Sequence, residues 1–390
     1  MTIGLADKRK TPCAGDEPPF TIGIEEEYLL VSRDTRDLVA EPPPNMLKEC
    51  EALLDGQVSP EFLRSQLEVE TKVCVTPAEL RAELSHVRSS VSRVAAGHAL
   101  APIAASTHPF ARWYAQRHTD KERYSEIARD LQAVGRRLVI CGMHVHVGLP
   151  DDALRIDLLN QITYFLPHLL ALSTSSPFWG GGDTGLKSYR VSVFNELPRT
   201  GLPQTFDSYG DYERHIKILV QAGLIEDATK LWWDIRPSAR FPTLEMRITD
   251  ICTRMDDALS IAALYRCLLR MLYRLRRKNQ RWRIYARMLI EENRWRAQRY
   301  GLDEGLVDFG KGCIVPYPDL LEELIDLTRD DAAYFGCEAE IEHTREIVAR
   351  GTSAHRQIQT YQSALAAGAE RTEALKAVVD LLIDDTVKDL

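Results

Sequence analysis

Residues 21–31 read Thr-Ile-Gly-Ile-Glu-Glu-Glu-Tyr-Leu-Leu-Val, three adjacent carboxylates set inside an otherwise β-branched, strand-like run. Successive side chains of a strand point to opposite faces, so Glu25 and Glu27 share one face while Glu26 joins Ile22, Ile24, Tyr28 and Leu30 on the other. Two readings follow. Either the acid-bearing face meets solvent, where Glu is ordinarily found, or a cation or proton sits between carboxylates that otherwise repel each other.

Three later segments repeat the design. Within residues 60–76, Leu63, Ser65, Leu67, Val69, Thr71 and Val73 alternate with Arg64, Gln66, Glu68, Glu70 and Lys72, which predicts one strand with Glu61 just before it. Over residues 140–148, Met143, Val145 and Val147 oppose His144 and His146; over 243–250, Leu244, Met246 and Ile248 oppose Glu245, Arg247 and Thr249. Ordinary amphipathic strands turn Lys, Thr, Ser and Gln outward, whereas these turn out acids and imidazoles. The pattern predicts an α+β fold, with an antiparallel β-sheet, helices packed on its apolar face and an oxygen-rich bowl on the other. Such a bowl needs cations, and oxygen ligation suits Mg2+ or Mn2+, which commonly bridge phosphates, better than zinc. The two histidines remain open to three roles: a zinc-hydrolase pair, polar-face residues, or one ligand of a hard metal. Arg247 is placed to bind a phosphoryl oxygen or to pair with Glu245.

The rest of the chain is mostly helical in pattern. Helices are predicted over 46–54, 77–100, from Pro150 towards residue 173, over 256–300, and through most of the C-terminal portion except 351–357; a further strand is predicted over 101–106. Residues 1–19, with Lys8, Arg9 and Lys10 among prolines, read as a flexible tail, and residues 20–390 as a single domain. No apolar run reaches membrane-span length. The eight cysteines lack any Cys-x-x-Cys pair, which argues against zinc-thiolate sites and a disulfide framework, so a cytoplasmic location is expected. Residues 176–188 nearly match a phosphate-binding P-loop, but Leu186 stands where lysine is needed, leaving a flexible, substrate-facing loop as the expectation. Net charge is -8, yet residues 256–300 hold twelve Arg or Lys against four Asp or Glu. That stretch suits a solvated helix face that attracts ATP better than a nucleic-acid surface, since no nucleic-acid motif accompanies it.

The motifs Gly23-Ile-Glu-Glu-Glu27, His144-Val-His146-Val-Gly, Ser176-Pro-Phe-Trp179, Asp183-Thr-Gly185, Ser188-Tyr-Arg190, Leu197-Pro-Arg-Thr-Gly201, Asp234-Ile-Arg-Pro-Ser238, Glu245-Met-Arg247 and Glu292-Asn-Arg-Trp-Arg296 occur in this order. Together they resemble the carboxylate–amine ligase family, the type 2 relatives of glutamate–cysteine ligase. The resemblance implies a glutamine-synthetase-like catalytic architecture. It also implies ATP-dependent joining of a small, glutamate-like carboxylate to cysteine or another amine through an acyl phosphate, with weak glutamate–cysteine ligase activity. Mapped onto this chain, it implies Mg2+ held by Glu25, Glu27, Glu61, Glu68, His144 and Glu245, with Arg247 and Arg190 on the transferring group. Arg356 joins those two arginines as a third expected ATP contact, His146 is a candidate general base, and a homodimer is expected. One departure stands out: residues 351–357 read Gly-Thr-Ser-Ala-His-Arg-Gln, placing His355 where relatives commonly carry Asp. The alternatives are a His-x-His metallohydrolase and a catalytically silent binding relative.

Overall fold

The computed structural model describes residues 17–390; the tail expected over 1–19 lies outside the described residues as far as residue 16, as does Cys13. Strand β1 (Ile22–Ser32) is followed in chain order by β2 (Val58–Pro60), β3 (Gln66–Glu70), β4 (Leu100–Ile103), β5 (Met143–Gly148), β6 (Ile235–Pro237) and β7 (Thr243–Met246). They form one antiparallel sheet ordered β6-β7-β5-β1-β3-β2, with β4 paired to the second half of β1. The helices longer than four residues are α1 (Pro44–Leu54), α2 (Pro77–Gly97), α3 (Glu122–Leu131), α4 (Asp152–Ile162), α5 (Leu166–Ser173), α6 (Tyr189–Phe194) and α7 (Tyr209–Gln221), then α8 (Met255–Arg277), α9 (Arg287–Tyr300), α10 (Tyr317–Phe335), α11 (Glu338–Arg350), α12 (Ser353–Ala366) and α13 (Arg371–Thr386). The α+β architecture expected from the strand patterns is thus what the chain adopts, with a helical C-terminal portion.

Alternation along β1 divides the molecule. Ile22, Ile24, Glu26 and Tyr28 are buried towards the helices, while Glu25 and Glu27 are half-buried on the opposite face. Helix α2 starts cleanly because Thr76 and Glu79 form a capping box and Pro77 takes the first turn. It then presents Arg88 to Glu26 in a fully buried bidentate pair, Nε to Oε2 at 2.8 Å and Nη2 to Oε1 at 2.5 Å. Arg88 also donates to the carbonyls of Thr253 and Cys252, and the Tyr28 hydroxyl donates to Glu26, so every strong donor and acceptor of the cluster is occupied. That cluster ties β1 and α2 to the lead into α8. Helix α8 is buried from Asp257 through Tyr273 on all sides, as its Leu- and Ala-rich sequence requires, and packs against α2, α4, α5, α10 and α11.

Several boundaries differ from the sequence expectation. Of the strand expected over 60–76 only β3 forms, after a reversal from β2 that holds Glu61 in the connection; Val73, expected in the core, is 77 % exposed. The fourth patterned strand ends at Met246, because the carbonyls of Arg247, Ile248 and Thr249 all turn to the guanidinium of Arg190. The helix expected over 256–300 breaks after Arg277, where Asn279 adopts a left-handed φ of 55°, and resumes as α9. Residues 353–357, expected outside the helices, begin α12, with Thr352 and His355 forming its capping box. The loop at 176–188 is held rather than free: Ser176 and Lys187 share a backbone bond, Ser188 bonds Gln298, and Thr184 bonds Pro177. No helix among the described residues is long and apolar enough to cross a membrane. The seven described cysteines are free thiols, and all but Cys313 are buried.

Two histidines are buried away from the cavity. Burial pushes both His108 and His168 down to about 4, so each is neutral in the fold at physiological pH. The unfolded chain takes up these protons near pH 6.5, so their contribution to stability is complete above that pH. It falls as pH drops towards 4, by about 3 kcal/mol for each histidine. Unfolding midpoints measured from pH 7 to pH 4 are expected to decline accordingly, with a shallower decline in His168→Gln.

Candidate active site

The polar face of the sheet floors a cavity of about 550 Å³. Strand pairing sets its floor in register: Glu25 lies opposite His144 on β5 and Glu70 on β3, Glu27 opposite Glu68, and His146 opposite Glu245 on β7, which in turn faces Arg236 on β6. The cavity is walled by α3 with Tyr124, by α6 with Arg190 and Phe194, and by the β6–β7 hairpin with Arg240 and Phe241. Glu25, Glu27, Glu61, Glu68, His144, His146, Arg190, Glu245 and Arg247 all line it. Arg356 does not: it sits on α12, pairs with Asp385 of α13, and shares a cluster with Arg254 and Arg350 behind the sheet. The structure thus places Arg356, the third expected ATP contact, in a tie between two C-terminal helices and outside the cavity lining. The loop 176–188, expected to face substrate, contributes no residue to the lining of this cavity. His355, the departure from the family motif, caps α12 and pairs with Asp303 at 3.1 Å, again outside the cavity lining.

Two sets of ligand atoms converge on the floor. One is Glu25, His144 and Glu245, the other Glu27, Glu68 and His144, each set having one ligand atom per residue within 4.8 Å of the others. Glu61 stands beside the second set, its carboxyl 3.3 Å from the Tyr124 hydroxyl. Without a cation these acids strain one another. Burial and the neighbouring Glu27 push Glu61 up to about 7, and burial together with Glu61, Glu25 and Glu27 pushes Glu68 well above the usual carboxylate range. Carboxylates pushed towards protonation by burial and by one another are the donor set a hard divalent cation would discharge, so the residues present fit Mg2+ or Mn2+.

The histidines differ in kind. His144 has Nδ1 3.0 Å from Glu25 and Nε2 3.8 Å from Glu27, and burial plus Arg247 lowers its pKa, leaving the neutral imidazole that a metal requires. His146 lies between Thr243, 2.9 Å from Nδ1, and Glu25, 3.0 Å from Nε2. Although burial opposes it, the Glu25 carboxylate raises the pKa of His146, which favours the imidazolium form beside Glu25. The paired zinc-ligand role is not what this geometry provides, because only His144 joins either ligand set.

Glu245 is held by two arginines. Arg236 grips it through Nε at 2.9 Å and Nη2 at 3.0 Å, Arg247 adds Nη1, and against the effect of burial they hold the carboxyl down to about 2. The Arg247 Nε is buried with no hydrogen-bond partner among the described residues. Arg190, buried, donates to Asp250 at 3.0 Å and to the carbonyls of residues 247–249, and so fixes the chain that carries Arg247. Gly142 lets this happen: a Cβ there would stand 3.3 Å from His144 and 3.7 Å from Arg190, and its N–H donates to Glu27 at 2.7 Å. Arg236, Asp250, Tyr124, Glu70 and Arg240 are site residues that sequence patterns did not single out. Arg236 alone had a signal, lying inside the Asp234-Ile-Arg-Pro-Ser238 motif.

The fold is that of solved ligases. A glutamate–cysteine ligase from Francisella tularensis in complex with AMP superposes with a TM-score of 0.67 at 14 % identity, covering 95 % of this chain and 90 % of that one. A bifunctional glutathione synthetase from Pasteurella multocida gives 0.67 at 15 % identity, covering 93 % of this chain and 52 % of that one. The family model of glutamate-cysteine ligase family 2 matches residues 21–380, and the chain belongs to that family. A protein of Rhodospirillum rubrum named as a candidate glutamate–cysteine ligase 2 is 64 % identical over 378 residues, 96 % of this chain and 97 % of the relative. One of the same name from Jannaschia sp. is 54 % identical over 371 residues, 95 % and 98 % of the two chains. The chain is an ATP-dependent carboxylate–amine ligase of the glutamate–cysteine ligase type.

Proposed function

We propose that this cavity joins a glutamate-like carboxylate to a small amine, cysteine among the candidates, by way of an acyl phosphate, including a weak glutamate–cysteine ligase activity. The observation that carries the proposal is the meeting of Glu25, Glu27, Glu68 and Glu245 on one imidazole, His144, beside an arginine with an unengaged buried donor. The residues named in the two ligand sets, with Glu61 beside them, would hold Mg2+ or Mn2+. Such ions supply charge neutralisation at the phosphates of ATP. A carboxylate oxygen of the acid attacks the γ-phosphorus and ADP departs. The amine nitrogen then attacks the acyl carbon, phosphate departs and the nitrogen loses a proton. Arg247 offers Nε to an oxygen of the transferred group. Arg190 and Arg236 position Arg247 and Glu245, and His146 positions Glu25, so most of the catalytic effect comes from fixed charge and orientation.

One catalytic unit over residues 20–390 accords with the single contiguous cluster of buried apolar residues. Exposed Met288, Leu289 and Trp295 on α9 are consistent with a homodimer, which sedimentation would test, and the free thiols are consistent with the reducing cytoplasm. The assay is phosphate release from Mg-ATP with a panel of acids and amines, followed by product mass. Release is expected only when acid and amine are both present. ATP turnover indifferent to both, or hydrolysis without ATP, would remove the proposal.

A further inference from the structure

Away from the active site, the helices that back the sheet hold two sulfur atoms in contact. Cys267 on α8 and Cys337, the residue that opens α11, are 70 residues apart in the chain, yet their sulfurs stand 3.5 Å apart. Both are buried, at 0 % and 2 % exposure. An approach of about 1.5 Å would bring the two sulfurs to bonding distance.

Oxidation of such a pair needs access and charge, and one partner has both. A small cleft of about 10 Å³ lies where α2, α8 and α11 meet, lined by Leu80, Leu259, Ala263, Arg266, Glu340 and Cys337, but not by Cys267. Arg266, 3 % exposed, donates to the carbonyls of Phe20 at 2.7 Å and Val75 at 2.8 Å and stacks on the ring of Phe335. Among the described residues the anion-forming groups that act on it are the thiols of Cys337, Cys267 and Cys74 and the Tyr334 phenol, with no carboxylate. A guanidinium without a counter-charge and the first turn of a helix are surroundings that favour an attacking thiolate. Cys267 differs: its bond to Cys337 and its burial push the thiol well above the usual range, so it keeps its proton. The cleft also selects the oxidant, since room for about one water-sized molecule takes the end of a hydroperoxide and turns away a bulky organic disulfide.

We propose that Cys337 and Cys267 form a peroxide-oxidisable dithiol, in which Cys337 reacts first and Cys267 resolves it, closing a disulfide between α8 and α11. The Cys337 sulfur attacks one oxygen of hydrogen peroxide, the O–O bond breaks, and hydroxide leaves with the Cys337 proton as water, giving a sulfenic acid. The Cys267 sulfur then attacks the Cys337 sulfur, the S–O bond breaks, and a second water carries off the hydroxyl and the Cys267 proton. Two thiols lose two electrons to one peroxide. Tyr265 and Arg266, just before Cys267, donate to the carbonyls of Leu244 on β7 and of Phe20 and Val75, so the bridge fastens the helix that backs the sheet. This inference is independent of the ligase proposal.

The full-length folded chain is treated with hydrogen peroxide, alkylated and digested, and the peptides are weighed. A peptide pair joined through Cys267 and Cys337 is expected, lost on treatment with dithiothreitol. The melting temperature should rise by about 4 °C or more and return on reduction. Oxidised glutathione at equal concentration should form the bridge at least about 10-fold more slowly. In Cys267→Ala, dimedone should label Cys337 after peroxide; in Cys337→Ala, Cys267 should stay unlabelled. The inference is overturned if the joined peptide is absent or links other cysteines, if oxidised glutathione acts as fast as peroxide, or if Cys267 takes the dimedone label as readily as Cys337. Mapping on the wild type decides the first two outcomes even where a variant fails to fold.

Discussion

Glu25→Gln and Glu27→Gln are each expected to lower metal-dependent ATP turnover by at least about 100-fold while the fold survives. The substitution preserves shape and removes one negative charge from a floor where Glu61 and Glu68 are already pushed towards protonation by burial and by their neighbours. Without metal, Glu27→Gln relieves the repulsion felt by Glu61 and Glu68, so its circular dichroism spectrum and melting temperature should hold, whereas Glu25→Gln also gives up the contacts with His144 and His146, so its spectrum should hold and its melting temperature fall modestly. With metal, a ligand is lost from one set of three: Glu25 from the set with His144 and Glu245, Glu27 from the set with Glu68 and His144. Phosphate release as a function of Mg2+ concentration is the measurement. Turnover persisting at the wild-type rate in either variant would take that carboxylate out of the mechanism.

The acid between them should behave in the opposite way. Arg88→Met strands Glu26 in the core without its cation, and breaking a buried pair from one side costs about 3–5 kcal/mol. The effect should appear as a lower urea midpoint with an unchanged slope. The double variant Glu26→Met, Arg88→Met should recover much of that loss, since two apolar side chains replace a desolvated pair. A single variant as stable as the wild type would mean that the pair of β1 and α2 does not hold the sheet to the helices. One tripeptide of glutamates thus divides by parity, two residues for chemistry and one for the fold.

That division was legible in sequence because a strand has a strict period of two. The same period revealed the polar faces of β3, β5 and β7, hence Glu68, His144 and Glu245. What lay beyond reach follows from what a period cannot encode. Glu61 is in a reversal and not on a strand, and its place beside the floor depends on Tyr124 of α3, a segment with no strong periodic signal. The end of β7 at Met246 depends on Arg190, 57 to 59 residues before the three carbonyls that it draws away from strand geometry. Arg356 sits in a motif shared with ligases, but a motif carries no direction, and α12 turns this side chain towards Asp385. The two histidines look alike in sequence. They are told apart only by Arg247 beside one and Thr243 beside the other.

The central claim is that this floor transfers the γ-phosphoryl group of ATP to a carboxylate. The most direct measurement uses the acid substrate labelled with oxygen-18 in its reacting carboxylate, followed by mass analysis of the released phosphate. An acyl phosphate predicts one labelled oxygen in each phosphate formed alongside amide, with ADP as the other product. Amide formed with unlabelled phosphate, or with AMP and pyrophosphate, would contradict the account.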